Sequence, residues 1–127
     1  MKHLAISALV IALAVVGIAF PAKKTKPKAK AKPAVVKFAE AEKVFAASCI
    51  RCHGAGLPRG GIDLTTAASI NKGGEDGPIL VAGDPANSLL IKAMKGAAGV
   101  RKMPPRGDVS AADIKVVEGW IKAGAKG

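Results

Sequence analysis

The sequence predicts an all-α fold, and three observations lead to that class. Apolar side chains recur with helical spacing in segments that glycine and proline separate from one another. Residues that cap helices stand at the start of two of these segments. The only stretch that resembles a strand is the apolar run of three residues 79–81, which we expect to form a loop.

Two helices are predicted in the first half of the folded region, which we assign to residues 38–127. Residues 38–48 place Phe38, Ala41 and Phe45 on one face, and Glu40 in the first turn suits the helix dipole. A shorter helix over residues 65–72 ends at a pair of glycines.

Two further helices are predicted towards the C-terminus. Asp84-Pro85 combines an N-cap residue with proline at the first helical position, and the helix is expected to continue to Gly96. Ser110 and Asp113 resemble a capping box with aspartate in place of glutamate. The helix that follows has Ile114, Val117, Trp120 and Ile121 on its apolar side and ends at Gly124.

Residues 1–22 are predicted to be a secretory signal peptide or an uncleaved signal anchor. A lysine precedes 17 uncharged residues, 4–20, a length at the lower limit of a membrane span. We therefore expect an exported, periplasmic protein, with anchoring to the outer face of the inner membrane as the alternative.

Residues 23–37 are rich in lysine, proline and alanine and contain seven lysines. Such a segment buries little apolar surface, so we expect a disordered linker. It carries much of the formal net charge of +11. An exported chain rarely meets nucleic acid, so we expect no nucleic-acid partner. A solvated spacer and a contact with anionic membrane lipid or cell-wall polymer both stay open for this lysine-rich tail.

The motif CIRCH at residues 49–53 holds both cysteines of the chain and one of its two histidines. A structural zinc site needs four ligands, and the remaining histidine, His3, lies in the predicted signal. A thioredoxin-type cysteine pair requires a helix N-terminus beside a βαβ unit, which this sequence does not predict. A disulfide across so short a loop adds little stability.

Covalent haem accounts for all three side chains of the motif. In C-x-x-C-H, the thiols of Cys49 and Cys52 form thioethers with the haem vinyl groups, and His53 ligates the iron. The sequence therefore predicts one haem c.

Haem would also complete a core that is poor in aromatic residues, since the chain has no tyrosine, one tryptophan and three phenylalanines. We expect the haem-free chain to be largely unfolded. The side chains expected to pack around the haem are Phe45, Leu90, Ile114, Val117 and Trp120.

Met103 is the predicted sixth ligand, because Pro104 and Pro105 restrict the backbone of the loop that presents it. Met94 is expected in the core instead, and Lys102 could replace Met103 at alkaline pH. Together with Lys102, Arg101 and Arg106 flank Met103. They form either a solvated loop or a ring that steers redox partners with an acidic docking surface.

Six-coordinate iron has no open position for a substrate, so the sequence predicts an electron-transfer protein rather than an enzyme. Such a carrier would pass single electrons between exported or membrane respiratory partners. If Met103 does not bind iron, the alternative is a ligand-binding sensor or a haem enzyme with an open sixth site.

Several motifs resemble the small class I c-type cytochromes, most closely the planctomycete-type monohaem cytochrome c domain. They are CIRCHG, GGIDLTT, GGEDGPILVAGDPANSLLIKAM, RKMPP and DIKVVEGWIKAGAKG, which together span most of residues 38–127. The resemblance implies a cytochrome c fold with helices wrapped around one haem. It also implies thioethers at Cys49 and Cys52, axial ligands His53 and Met103, and single-electron transfer. Val81-Ala82-Gly83 stands where the family often has Pro-Gly.

Overall fold

The computed structural model describes residues 35–56 and 58–127, and the regular secondary structure among these residues is helical. They contain no strand, and the sole β-type pairing among them is an isolated antiparallel bridge between Gly74 and Gly77. The all-α prediction is therefore confirmed for this part of the chain. The elements are α1 (Phe38–Ser48), α2 (Ile50–His53), a 3-10 turn (Arg59–Gly61), α3 (Ala67–Lys72), α4 (Leu89–Lys95) and α5 (Ala111–Lys122).

The predicted signal or anchor, residues 1–22, and the linker up to residue 34 lie outside the described residues. No helix within the described part is long and apolar enough to cross a membrane. Val36 is partly buried against the core. A Cβ on Gly119 of α5 would lie only 2.6 Å from Cγ2 of Val36. Glycine at position 119 therefore leaves room for the side chain of Val36. Packing against the core thus includes a residue that precedes α1.

An aromatic cluster joins α1 to α5. The ring centroid of Trp120 lies 5.4 Å from that of Phe38 and 6.1 Å from that of Phe45, the latter in an edge-on arrangement. Trp120 and Phe45 are fully buried. The indole Nε1–H of Trp120 donates a hydrogen bond to the carbonyl of Lys126 at 2.7 Å, which ties the C-terminal residues to the same cluster.

We expect Phe45→Ala to lower the free energy of unfolding by about 3–5 kcal/mol, because the removed ring leaves a cavity against Trp120. Urea unfolding followed by far-UV circular dichroism measures the change. Glu42→Ala, on the exposed face of the same helix, is the control and should change stability by no more than about 0.5 kcal/mol. A Phe45 variant as stable as this control would show that the cluster contributes little to the fold.

The predicted start of the third helix at Asp84-Pro85 is wrong, because α4 begins only at Leu89. The carboxylate of Asp84 accepts hydrogen bonds from the backbone N–H and the side-chain amide of Asn87, at 3.2 and 2.6 Å, and so closes a separate turn. Hydrogen bonding by Asn87 lowers the pKa of this carboxyl below its usual value. The end of the helix at Gly96, which adopts a left-handed conformation, agrees with the prediction.

Ser88 holds the segment before α4 in place. Its side chain is fully buried, and its hydroxyl accepts from the N–H of Val81 at 3.0 Å and donates to the carbonyl of Asp84 at 2.8 Å. Residues 81–88 therefore form a hydrogen-bonded loop that sets where α4 starts. No local sequence pattern marks these contacts, since Ser88 is hydrogen-bonded to a residue seven positions away.

The caps of α3 and α5 differ in how well they were predicted. Ser110 accepts from the N–H of Asp113 at 3.0 Å, as the capping signal indicated. At α3, the capping box consists of Thr66 and Ser69, and the helix begins at Ala67 rather than at residue 65. Serine in place of glutamate or glutamine at the third helical position hid this box from the sequence pattern.

Candidate haem-binding site

An apolar cavity of about 430 Å³ lies between α2, α4, the 3-10 turn and the loop at residues 100–105. Its volume falls within the range of sites for small molecules and cofactors. Aliphatic side chains supply much of its wall. They are Ile62, Leu64, Ile79, Leu89, Leu90 and Val100.

All four residues singled out by the sequence line this cavity: Cys49, Cys52, His53 and Met103. Met103 is 50 residues from His53, so only the fold brings it to the same site. A covalent haem with two axial ligands requires an apolar space lined by two thiols, one imidazole and one thioether. The residues present therefore fit this group.

One turn of backbone arranges the three residues of the motif. The N–H of Cys49 donates to the carbonyl of Phe45 at 2.8 Å, so the motif continues directly from the end of α1. The carbonyl of Cys49 accepts from the N–H groups of Cys52 and His53, both at 3.0 Å. Positions three and four residues apart share one side of a helical turn, and the motif therefore presents its thiols and its imidazole together.

The imidazole of His53 is oriented by a backbone carbonyl. Its Nδ1 lies 3.3 Å from the carbonyl oxygen of Ile62. Because a carbonyl can only accept, this hydrogen bond requires the proton on Nδ1 and leaves Nε2 free to act as a ligand.

Two methionines, rather than one, border the cavity. Met94 on α4 is buried and forms part of the core, as predicted, but its side chain also lines the cavity. Met103 is partly buried in the loop, and its N–H donates to the carbonyl of Ala93 on α4 at 2.9 Å. That bond fixes the loop against the helix, so that the position of Met103 depends on α4.

Burial raises the pKa of the Cys49 thiol to about 11. At neutral pH this cysteine is therefore a protonated thiol. A thiol–disulfide oxidoreductase needs the opposite shift, a lowered pKa that supplies thiolate. The described residues also include no group of three or more histidine, cysteine, aspartate or glutamate side chains placed to hold a metal ion.

The expected packing around the haem is only partly correct. Of the five side chains predicted to surround it, Leu90 lines the cavity. The other four do not line the cavity. Three of them are buried in the core between α1 and α5, namely Phe45, Val117 and Trp120, and the fourth is Ile114. The wall is instead built from the aliphatic side chains of the loops and α4, whose contribution depends on long-range contacts and has no local sequence signal.

Charged side chains at the cavity differ from the predicted set. Arg101 lines it, whereas Lys102 forms an ion pair with Asp108 at the surface and Arg106 is exposed away from the lining. Arg59 and Asp76 also line it. A second, more open depression between α4 and α5 has charged walls and contains none of the predicted site residues.

Residues 49–107 match a family model described as Planctomycete cytochrome C. No curated protein and no solved structure matches the chain. The matched segment starts at the first cysteine of the motif and includes Met103 with the two prolines that follow it. The match confirms the resemblance found in the sequence. Over residues 49–107, the chain is therefore similar to the planctomycete-type cytochrome c domain.

Proposed function

We propose that this protein is a one-electron carrier with a single covalent haem c, held in a cytochrome c fold. The observation that carries the proposal is the meeting of Cys49, Cys52, His53 and Met103 around one apolar cavity. Haem supplies the reversible one-electron chemistry of its iron. The chain supplies attachment, axial ligands and an environment that excludes water.

Each of the four residues has a distinct role in this proposal. Cys49 and Cys52 form the thioether links. His53 provides Nε2 as one axial ligand, while its Nδ1–H stays hydrogen-bonded to Ile62. Met103 provides the second axial ligand from the loop that is attached to α4. Ligation by methionine opposite histidine raises the reduction potential and closes the coordination sphere against small ligands.

The basic side chains at the cavity suggest how the acidic groups of haem would be held. Arg59 and Arg101 both line the cavity and are exposed, and each can pair with a carboxylate. Asp76 also lines the cavity, and its carboxylate would repel the acidic groups of haem. The two arginines are therefore the candidates for binding the haem propionates.

The partners of this carrier are proposed from charge and from the N-terminal sequence. An exported protein with a positively charged surface near its redox centre would exchange electrons with partners that offer an acidic docking surface. Seven lysines in residues 23–37 would favour a contact with anionic lipid or wall polymer. The proposed location is the periplasm, with release or anchoring at the inner membrane as the two arrangements.

Carbon monoxide binding tests this function. The protein is produced in a host that attaches haem c, and a pyridine haemochrome assay on the denatured chain checks for one covalent haem. We expect the reduced native protein not to bind carbon monoxide at neutral pH, because Met103 occupies the sixth position. Absence of haem would overturn the proposal. Rapid carbon monoxide binding would favour the ligand-binding or enzymatic alternative.

A further inference from the structure

Residues 73–77 form a tight glycine-rich turn beside the site, and the function proposed above does not use it. The N–H of Gly74 donates to the carbonyl of Gly77 at 2.9 Å, and the N–H of Gly77 donates to the carbonyl of Gly74 at 3.1 Å. Gly73 has a φ of 84°, a conformation that favours glycine. These reciprocal bonds close the turn on itself and make it a compact unit.

The turn packs directly on the backbone of residues 60–62. The N–H of Glu75 donates to the carbonyl of Gly60 at 2.9 Å. A Cβ added at Gly74 would lie 2.6 Å from the carbonyl oxygen of Gly60 and 2.6 Å from Cγ1 of Ile62. Both distances are too short for a carbon contact, and the first involves backbone that cannot rotate away. Residue 74 therefore has to be glycine for the two segments to approach this closely.

The same segment carries the hydrogen-bond partner of the axial histidine. The carbonyl of Ile62 accepts from Nδ1 of His53 at 3.3 Å, and two residues later the N–H of Leu64 donates to the carbonyl of His53 at 2.8 Å. Contacts therefore run without interruption from Gly74, through Ile62, to the imidazole.

We propose that the turn at residues 73–77 is a positioning element for His53, with Gly74 as its contact point. This inference rests on the proposed function, since it concerns the axial ligand of that site. A hydrogen bond from Nδ1–H makes the imidazole a stronger donor to the metal and favours the ferric state. By fixing the carbonyl of Ile62, the turn keeps the reduction potential lower than it would be with a loosely held imidazole.

Gly74→Ala and Gly56→Ala form a matched pair for the test. An alanine at Gly56, three residues after His53, meets no atom within 4 Å, so this variant controls for the added methyl group. Both variants are prepared with haem attached. In Gly74→Ala the added Cβ would clash with the carbonyl of Gly60 and the side chain of Ile62, and we expect this clash to displace the carbonyl of Ile62. The Nδ1–H of His53 should then exchange with solvent at least about tenfold faster, as measured by NMR. We also expect the reduction potential of Gly74→Ala to rise, by about 59 mV if its preference for the ferric state falls tenfold.

An unchanged potential and an unchanged exchange rate in Gly74→Ala would overturn the inference. A wild-type measurement keeps the test valid if that variant does not fold. In the native protein the amide of Glu75, which bonds to Gly60, should be protected from hydrogen exchange to the same degree as the amide of Leu64. An unprotected Glu75 amide would show that the turn does not hold the segment. Failure of haem attachment in the wild type, by contrast, would overturn the proposed function itself.

Discussion

A chain in which serine replaces both Cys49 and Cys52 is expected to contain no covalent haem and to lose most of its helical circular dichroism. Serine keeps the size of cysteine but cannot form the thioethers. The apolar cavity of about 430 Å³ would then lack its occupant. At about 24 cal/mol per Å³, an empty cavity of this size costs at most about 10 kcal/mol. That cost is comparable to the entire stability of a typical small domain.

Haem content after denaturation and far-UV circular dichroism measure the two parts of this expectation. Arg51→Ala, an exposed change within the same turn, is the matched control and should retain both haem and helix content. Haem that stays attached to the double variant after denaturation would contradict the role of the cysteines. A haem-free chain with near-native circular dichroism would contradict the dependence of folding on haem and leave the attachment chemistry intact.

Replacement of Met103 by leucine is expected to open the sixth coordination position. Leucine nearly preserves the volume of methionine and removes the sulfur. We expect the weak far-red absorption band of sulfur-ligated ferric haem to disappear and the reduced protein to bind carbon monoxide. The reduction potential should fall by at least about 59 mV, a tenfold change in preference for the ferric state, because methionine ligation raises it.

Met94→Leu is the matched control, because Met94 also lines the cavity and the same atoms are exchanged. It should keep the far-red band, exclude carbon monoxide and change stability by less than about 1.5 kcal/mol. The reverse pattern, with the band lost in Met94→Leu and kept in Met103→Leu, would move the ligand from the loop to α4.

The parts of the molecule that sequence reasoning described well are those with local signals. The bounds of the first helix, residues 38–48, agree with α1, since its periodicity and the motif that follows it lie in one short segment. The placement of Cys49, Cys52 and His53 on one turn likewise follows from their spacing. The loop with Met103 was found because two prolines mark it.

The features that were missed depend on contacts between distant segments. Asp84 has the sequence signature of a helix start, but Asn87 uses its carboxylate in a turn, and Ser88 is held by residue 81. Arg59 reaches the cavity only because the 3-10 turn packs beside α2. Trp120, expected beside the haem, does not line the cavity for the same reason, since helical periodicity shows that a face is buried but not which surface covers it.

The separation of the aromatic cluster from the cavity wall has a consequence for evolution and for redesign. Phe38, Phe45 and Trp120 hold α1 against α5 without lining the cavity. Replacing Leu89 or Val100 with another aliphatic residue would alter the surroundings of the proposed redox centre and leave the aromatic cluster unchanged. The reduction potential could therefore be adjusted by substitutions in the cavity wall while the packing of the helices stays constant.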